Sequence, residues 1–163
     1  MTVEERIIFT LKEASHSLRL LKDNFYLIGS AALSLSGIKL DEISDIDILV
    51  SDRDAGFLLA EWGNRLIIEH TTKDDDLFKS KFARYKFSFL DIEIMGELKV
   101  YNKGVWERLE IKDIESIAVG NFEIKIPTLD EQKRILQLFG RVKDKKRIKF
   151  IDKKLFDKYT IRK

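Results

Sequence analysis

The sequence predicts a mixed α/β (α+β) fold, in which a small mixed β-sheet is flanked by helices and followed by a C-terminal helical region. Apolar residues recur at helical spacing near the N-terminus, short apolar runs suited to strands fill the middle, and helical spacing returns after residue 127. The 163 residues suffice for one core, and the 44% hydrophobic content excludes a disordered chain. We expect a core at residues 1–126 and a basic helical region packed on it at residues 127–163.

Helices and strands alternate in the first part of the chain. Five apolar residues at three- and four-residue steps predict an opening amphipathic helix, namely Ile7, Leu11, Ala14, Leu18 and Leu21. The apolar run from Phe25 to Ile28 predicts a buried strand, after which Ser30 is placed to cap a short helix. Residues 46–50 predict the second strand, and Asp54 is placed to cap the helix that follows it.

The middle of the chain is rich in predicted strands. A third strand is predicted at residues 66–68, followed by a polar loop at residues 71–76. The stretch KFARYKFSFLDIEIMG predicts two strands joined near Ser88, whereas residues 97–115 fit neither pattern clearly. Residues 117–126 predict a hairpin with Gly120-Asn121 as its turn.

The last part of the chain is helical and basic. Thr128 and Glu131 have the spacing of a capping box, which predicts a helix to about Phe139 that Gly140 is placed to end. A last helix is predicted from about residue 142 to residue 156. Residues 133–163 contain 13 Lys and Arg against 3 Asp and Glu, so this region is strongly positive while the remainder of the chain is negative.

Composition also excludes several kinds of site. With no cysteine, the chain forms no disulfide and no thiolate metal site. The first residues carry acids where a signal peptide needs bases, and no apolar run reaches the roughly 18 residues that span a bilayer. We therefore expect a cytoplasmic protein without a membrane partner.

Two aspartates, Asp45 and Asp47, flank Ile46 at the start of an otherwise apolar strand. Side chains alternate along a strand, so both carboxylates point to the same side and repel each other. A divalent cation such as Mg²⁺, which prefers carboxylate oxygens and phosphates, would remove this conflict. The alternative is that both aspartates face solvent at the edge of a sheet.

A third carboxylate and a phosphate-binding turn are also available. Asp91 and Glu93 lie on one face of a later apolar strand, and either would converge on Asp45 and Asp47 if the two strands were neighbours. The Gly29-Ser30 pair follows a buried strand and opens a helix, where backbone N–H groups can bind a phosphate. Carboxylates around two metal ions beside a phosphate site are suited to phosphoryl chemistry.

These residues resemble the signature of the polymerase-beta-type nucleotidyltransferase superfamily, and in particular its small prokaryotic members. The resemblance rests on Gly29-Ser30, on Asp45-Ile46-Asp47 and on the later strand acid. In the basic region, Gly140-Arg141-Val142-Lys143-Asp144 is similar to a Gly-Arg-x-Lys-Asp segment of some relatives.

The resemblance implies a role for each residue. Asp45 and Asp47 would hold the cation that carries a nucleoside triphosphate, and Glu93 would share a second cation or take the acceptor's proton. Asp91 is the reserve candidate for this third acid. The phosphate-binding residues would be Gly29, Ser30, Arg141 and Lys143.

The implied activity is transfer of a nucleoside monophosphate from a triphosphate to a hydroxyl-type acceptor, with release of pyrophosphate. The implied cofactor is Mg²⁺, as two ions, with Mn²⁺ as a substitute. A small molecule, a protein side chain and an RNA end stay open as acceptors, and the basic region slightly favours RNA or another anionic partner. The alternative is an inactive module of the same fold that binds nucleotide, RNA or a partner protein. Membership of a toxin–antitoxin or resistance pair rests on analogy.

Overall fold

A computed structural model describes residues 1–74 and 76–161 of the chain. The fold is mixed α+β, as predicted. The helices are α1 (Val3–Leu18), α2 (Gly29–Leu35), α3 (Asp52–Glu61), α4 (Leu129–Phe139) and α5 (Val142–Ile161). The strands are β1 (Tyr26–Ile28), β2 (Asp45–Val50), β3 (Leu66–Asp74), β4 (Phe78–Tyr85), β5 (Asp91–Asn102), β6 (Val105–Arg108), β7 (Ile114–Val119) and β8 (Phe122–Pro127).

The main sheet places β2 and β5 side by side near its centre. Its strand order is β1-β2-β5-β4-β3, and β6 pairs with the far end of β5. The β2–β5 pair is parallel, whereas the other pairs of this sheet are antiparallel. A separate hairpin, β7–β8, has the predicted turn between its strands. The two strands that carry the paired acids are therefore direct neighbours.

The opening helix has the predicted apolar face. Ile7, Leu11, Ala14 and Leu18 are buried in the main hydrophobic cluster, which also contains isoleucines of β2 and β5. A capping box of Thr2 and Glu5 begins the helix. This packing covers one face of the sheet.

Two predicted helix caps are wrong. Helix α2 begins at Gly29, so its N-cap is Ile28 and no side chain caps it. Ser30 lies inside the helix, and its hydroxyl accepts a hydrogen bond from Arg147. Helix α3 is capped by Ser51 rather than Asp54: the Ser51 hydroxyl accepts from the Asp54 N–H at 3.1 Å. The Asp54 carboxylate is buried and accepts two backbone N–H groups from residues 22 and 23, so it anchors the preceding loop.

The prediction of a polar loop at residues 71–76 is also largely wrong. Strand β3 continues to Asp74 because its backbone pairs with β4 even where its sequence is polar. Asp75 lies outside the described residues. The ambiguous segment after Glu97 extends β5 to Asn102, turns at Lys103 and Gly104 with positive φ, and returns as β6.

Helix α4 packs against α5 and also contacts β5 and β8. Thr128 caps α4 as predicted, because its hydroxyl accepts from the Glu131 N–H. The Glu131 carboxylate binds the Lys112 N–H and Arg134, so the second hydrogen bond of the expected capping box does not form. Gly140 ends α4 with a φ of 68°. Helix α5 runs past the predicted end at residue 156 to Ile161.

A shared cluster of buried apolar residues joins these helices to α2 and the loop after it: Leu33, Ile38, Leu136 and Ile151. The division into a core at residues 1–126 and a helical region at residues 127–163 stays a prediction. None of the described helices has the combination of length and apolarity required to cross a bilayer.

Candidate functional site

The parallel register of β2 and β5 brings the acids of both strands together. Asp45 pairs with Asp91, and Asp47 pairs with Glu93. Carboxylate oxygens of Asp45, Asp47 and Glu93 lie within 4.8 Å of one another, and we call these three residues the acid cluster. Hard oxygen donors at this spacing fit a divalent cation such as Mg²⁺.

Asp91 does not join the acid cluster, although it lies on the same face of β5. Its Oδ2 accepts hydrogen bonds from Nε and Nη2 of Arg84, at 3.0 and 2.9 Å. The sequence left open whether Asp91 or Glu93 is the third carboxylate. The structure places Glu93 in the acid cluster, whereas Asp91 binds Arg84.

Arg84 is a site residue that the sequence analysis missed. Its Nη1 donates to Glu93 Oε1 at 2.7 Å and to Asp45 Oδ2 at 3.2 Å, so the guanidinium reaches three carboxylates in all. Although burial opposes the charge, the hydrogen bonds to Asp91 and Glu93 raise the pKa of Arg84. One signal was available, because Arg84 stands between the buried residues Ala83 and Tyr85, as Asp47 stands between two buried isoleucines.

Asp47 has the most unfavourable environment for a charge within the cluster. Burial raises the pKa of Asp47 well above its ordinary value, and the charges of Asp45 and Glu93 raise it further. Lys143 acts in the opposite direction, but its effect is the smallest of these. A bound cation would relieve this repulsion directly.

Gly29 borders the acid cluster so closely that a side chain would not fit. Its φ is +69°, and a β-carbon at this position would lie 2.6 Å from Asp47 Oδ2. Next to it, the Ser30 hydroxyl accepts a hydrogen bond from Arg147 Nη2 at 2.7 Å. Helix α2 has only seven residues, so basic side chains are better placed than its dipole to attract an anion here.

Helix α5 supplies basic side chains to the same cleft. Lys143 and Arg147 both line it, and Arg147, which the sequence analysis missed, lies one helical turn beyond Lys143. Burial, followed by the charges of Arg141 and Arg147, lowers the pKa of Lys143. These positive neighbours form a second wall that faces the acids.

Arg141 also lines the cleft, but its guanidinium is engaged elsewhere. Its Nε and Nη2 donate to the fully buried carboxylate of Asp144 at 2.7 and 3.0 Å. The guanidinium carbon lies 5.1 Å from the Phe78 ring centroid and 5.3 Å from that of Phe139. Arg141 therefore ties α5 to α4 and β4, and its predicted role with phosphate stays a prediction.

The cleft that contains these groups has a volume of about 700 Å³. Its lining includes the acid cluster, Gly29, Ser30 and basic side chains of α5. It also includes an apolar wall from one hydrophobic cluster: Phe78, Met95, Leu98, Ile135 and Phe139. A charged group and an apolar group of one ligand, or of two neighbouring ligands, would both find matching surfaces.

No protein-family model matches the chain, and no curated protein matches it either. Three solved structures do share its fold. A Thermotoga maritima protein assigned as a nucleotidyltransferase matches with a TM-score of 0.75 and 20% identity, over 91% of this chain and 93% of its own. A lincosamide antibiotic adenylyltransferase with bound lincomycin matches with a TM-score of 0.56 and 14% identity, over 93% and 97%.

The third structure is an antigenic nucleotidyltransferase-like protein from Paracoccidioides brasiliensis. Its TM-score is 0.55 at 14% identity, over 92% of this chain and 77% of its own. The chain therefore has the nucleotidyltransferase fold that its sequence signature predicts.

Proposed function

We propose that this protein is a Mg²⁺-dependent nucleotidyltransferase that moves a nucleoside monophosphate from a triphosphate to a hydroxyl group and releases pyrophosphate. One observation carries the proposal: Asp45, Asp47 and Glu93 converge within 4.8 Å in a cleft that also contains the Gly29-Ser30 turn. The nucleotidyltransferase fold supports it independently.

The triphosphate would bind between the Gly29-Ser30 turn and α5. The absence of a side chain at Gly29 lets a phosphate approach the backbone, and Ser30 adds a hydroxyl. Arg147 already donates to Ser30, so its guanidinium stands where the terminal phosphates would lie. Lys143 adds a second positive charge on the same side of the cleft.

Asp45, Asp47 and Glu93 are the residues that would hold Mg²⁺. When bound, the cation supplies neutralisation of the charge that develops on the phosphoryl oxygens and on the leaving group. Burial, followed by the charges of Asp45 and Glu93, raises the pKa of Asp47, and a positive neighbour would favour its ionised form.

The chemical step forms one bond and breaks one. The acceptor oxygen bonds to the α-phosphorus, while the bond from that phosphorus to the bridging oxygen of pyrophosphate breaks. The acceptor's proton passes to the Glu93 carboxylate and from there to solvent. The residues around the turn hold the triphosphate so that the α-phosphorus faces the acids.

A small molecule is the first acceptor to test. The apolar wall next to the acids suits a compact ligand that bears a hydroxyl group, and the solved adenylyltransferase of the same fold binds lincomycin. RNA is the next candidate, because most of the basic residues of α5 are exposed to solvent.

The test is transfer of label from each of four α-³²P-labelled nucleoside triphosphates, with Mg²⁺, to hydroxyl-bearing small molecules, to RNA and to a cell extract. We expect labelled product from wild type and none from Asp47→Asn, which keeps the size of the side chain but removes its charge. Equal labelling by both proteins would overturn the proposed role of the acids. Binding of nucleotide without turnover of any acceptor would instead support the inactive module.

A further inference from the structure

Arg84 lies in line with the acid cluster across three neighbouring strands. On β4 it pairs with Glu93 of β5, which pairs in turn with Asp47 of β2. Its side chain is 22% exposed and extends to the next row, where Asp45 and Asp91 pair with each other. The guanidinium is thus placed between the acids by the register of the sheet.

The hydrogen bonds of this guanidinium fall into two groups. Nε and Nη2 both bind Asp91, an acid outside the cluster. Nη1 binds Glu93 and Asp45, which are two of the three acids that would hold a cation. The contact to Glu93, at 2.7 Å, is the shortest of the four.

A purely structural arginine would need only its two bonds to Asp91. The additional bonds from Nη1 place a positive charge against the oxygens that a divalent cation would use. Like charges at such short separation repel strongly in a partly buried site. A cation that enters the acid cluster must therefore displace Nη1 or bind beside it at a cost.

We propose that Arg84 is a built-in competitor of the divalent cation, which makes cation binding depend on the triphosphate. This inference rests on the proposed function. The negative phosphates offset the guanidinium charge, so the cation and the triphosphate enter together more readily than the cation does by itself. Asp91 retains Arg84 through Nε and Nη2 when Nη1 gives up Glu93 and Asp45. Arg84 is in this sense a positioning residue.

The first test measures Mn²⁺ binding by electron paramagnetic resonance, without nucleotide and with the non-hydrolysable analogue α,β-methylene-ATP. Without nucleotide, Arg84→Met is expected to bind Mn²⁺ about tenfold more tightly than wild type. Arg108→Met serves as a control, because Arg108 lies on β6 and pairs with Glu97; it should bind as wild type does. Wild-type affinity should rise on adding the analogue, and that of Arg84→Met should rise less.

Asp91→Asn gives a second test in the opposite direction. Loss of the Asp91 charge leaves Arg84 dependent on Glu93 and Asp45, so Mn²⁺ binding with the analogue should weaken about threefold. Tighter Mn²⁺ binding by Asp91→Asn would overturn the inference, and this holds even where Arg84→Met fails to fold in a thermal melt followed by circular dichroism.

Different results would overturn the competitor role of Arg84 and the proposed function. If wild type binds Mn²⁺ with the analogue but Arg84→Met binds Mn²⁺ by itself no more tightly than wild type, the competitor role is overturned and the proposed function stands. If wild type does not bind Mn²⁺ with the α,β-methylene analogue of any of the four nucleoside triphosphates, the proposed function is overturned.

Discussion

The carboxylate of Asp47 occupies the space that a side chain at residue 29 would need. A β-carbon on Gly29 would lie 2.6 Å from Asp47 Oδ2, which is closer than real β-carbons approach any atom. The Gly29-Ser30 turn and the strand that carries Asp45 and Asp47 are thus fitted to each other at a single point. A substitution at residue 29 is therefore expected to disturb both the turn and the position of Asp47.

Gly29→Ala should lose both stability and nucleotide binding. The left-handed backbone costs about 1–2 kcal/mol with alanine, and the contact with Asp47 forces the turn to move. Gly120→Ala is the matched control, since its φ is +65° and a β-carbon there meets the flexible end of Lys12 at 3.3 Å. In urea denaturation both variants should be less stable than wild type. Calorimetric titration with Mg²⁺ and triphosphate should detect no binding by Gly29→Ala but should detect binding by Gly120→Ala. Normal binding by Gly29→Ala would contradict the close fit.

Arg147→Met should weaken triphosphate binding without unfolding the protein. A hydrogen bond to a charged group contributes about 1.5–3 kcal/mol, so the dissociation constant should rise by about tenfold or more. Lys146→Met removes an equal charge from the exposed face of α5 and serves as the control. Calorimetric titration with the triphosphate measures both. Equal losses for the two variants would indicate a general effect of charge rather than a contact at Ser30.

Asp47→Asn should fold at least as well as wild type in the absence of a divalent cation. Burial, followed by the charges of Asp45 and Glu93, raises the pKa of Asp47, and the neutral amide avoids both penalties. With ligand at about 100 times its dissociation constant, wild type should gain about 2.7 kcal/mol. Thermal melts with Mg²⁺ and triphosphate should show this gain in wild type and little of it in the variant. An unchanged gain would show that Asp47 does not hold the cation.

Glu131→Gln should destabilise the protein at neutral pH by about 1.5–3 kcal/mol. Burial opposes ionisation of Glu131, but hydrogen bonds from Arg134 and from the Lys112 N–H prevail and lower its pKa from 4.5. A lowered pKa stabilises the fold above the unfolded-state value and ceases to do so as pH falls through the folded-state value. The deficit of the variant in urea denaturation should therefore shrink below about pH 4.5. Glu123→Gln, at an exposed position of β8, should show no such deficit.

Gly96→Ala should destabilise the packing of α3 on the sheet. A β-carbon at residue 96 of β5 would lie 2.8 Å from the Ala55 Cβ and 3.2 Å from the Lys81 Cβ. Overpacking of this kind costs about 1–3 kcal/mol. Gly63→Ala is the control, because a β-carbon there meets no atom within 4 Å. Urea denaturation that ranks the two variants equally would contradict this account of Gly96.

The arrangement of the acids could be predicted because it follows from local rules. The two-residue period of a strand puts Asp45 and Asp47 on one face, and the same period applies to Asp91 and Glu93. The choice between Asp91 and Glu93 needed the register of β2 against β5 and the position of Arg84, and neither is encoded within one strand.

The residues that sequence reasoning missed act across tertiary contacts. Arg147 reaches Ser30 because α5 packs beside α2, more than a hundred residues away along the chain. The Asp54 carboxylate, predicted to cap α3, instead binds the backbone of an earlier loop. Strand β3 extends beyond its apolar residues because pairing with β4 satisfies the hydrogen-bonding groups of its backbone. In each case a partner distant in sequence overrides the local preference.

The position of α5 also bears on the order in which the polypeptide is made. Every strand of the sheet leaves the ribosome before α5 does, so a nascent chain exposes its acids before it has Lys143 and Arg147 to oppose them. Until α5 docks, the emerging polypeptide lacks the half of the cleft that would grip a triphosphate. Under the proposed function, binding of a nucleotide would therefore require that α5 has been synthesised and has docked onto the rest of the fold.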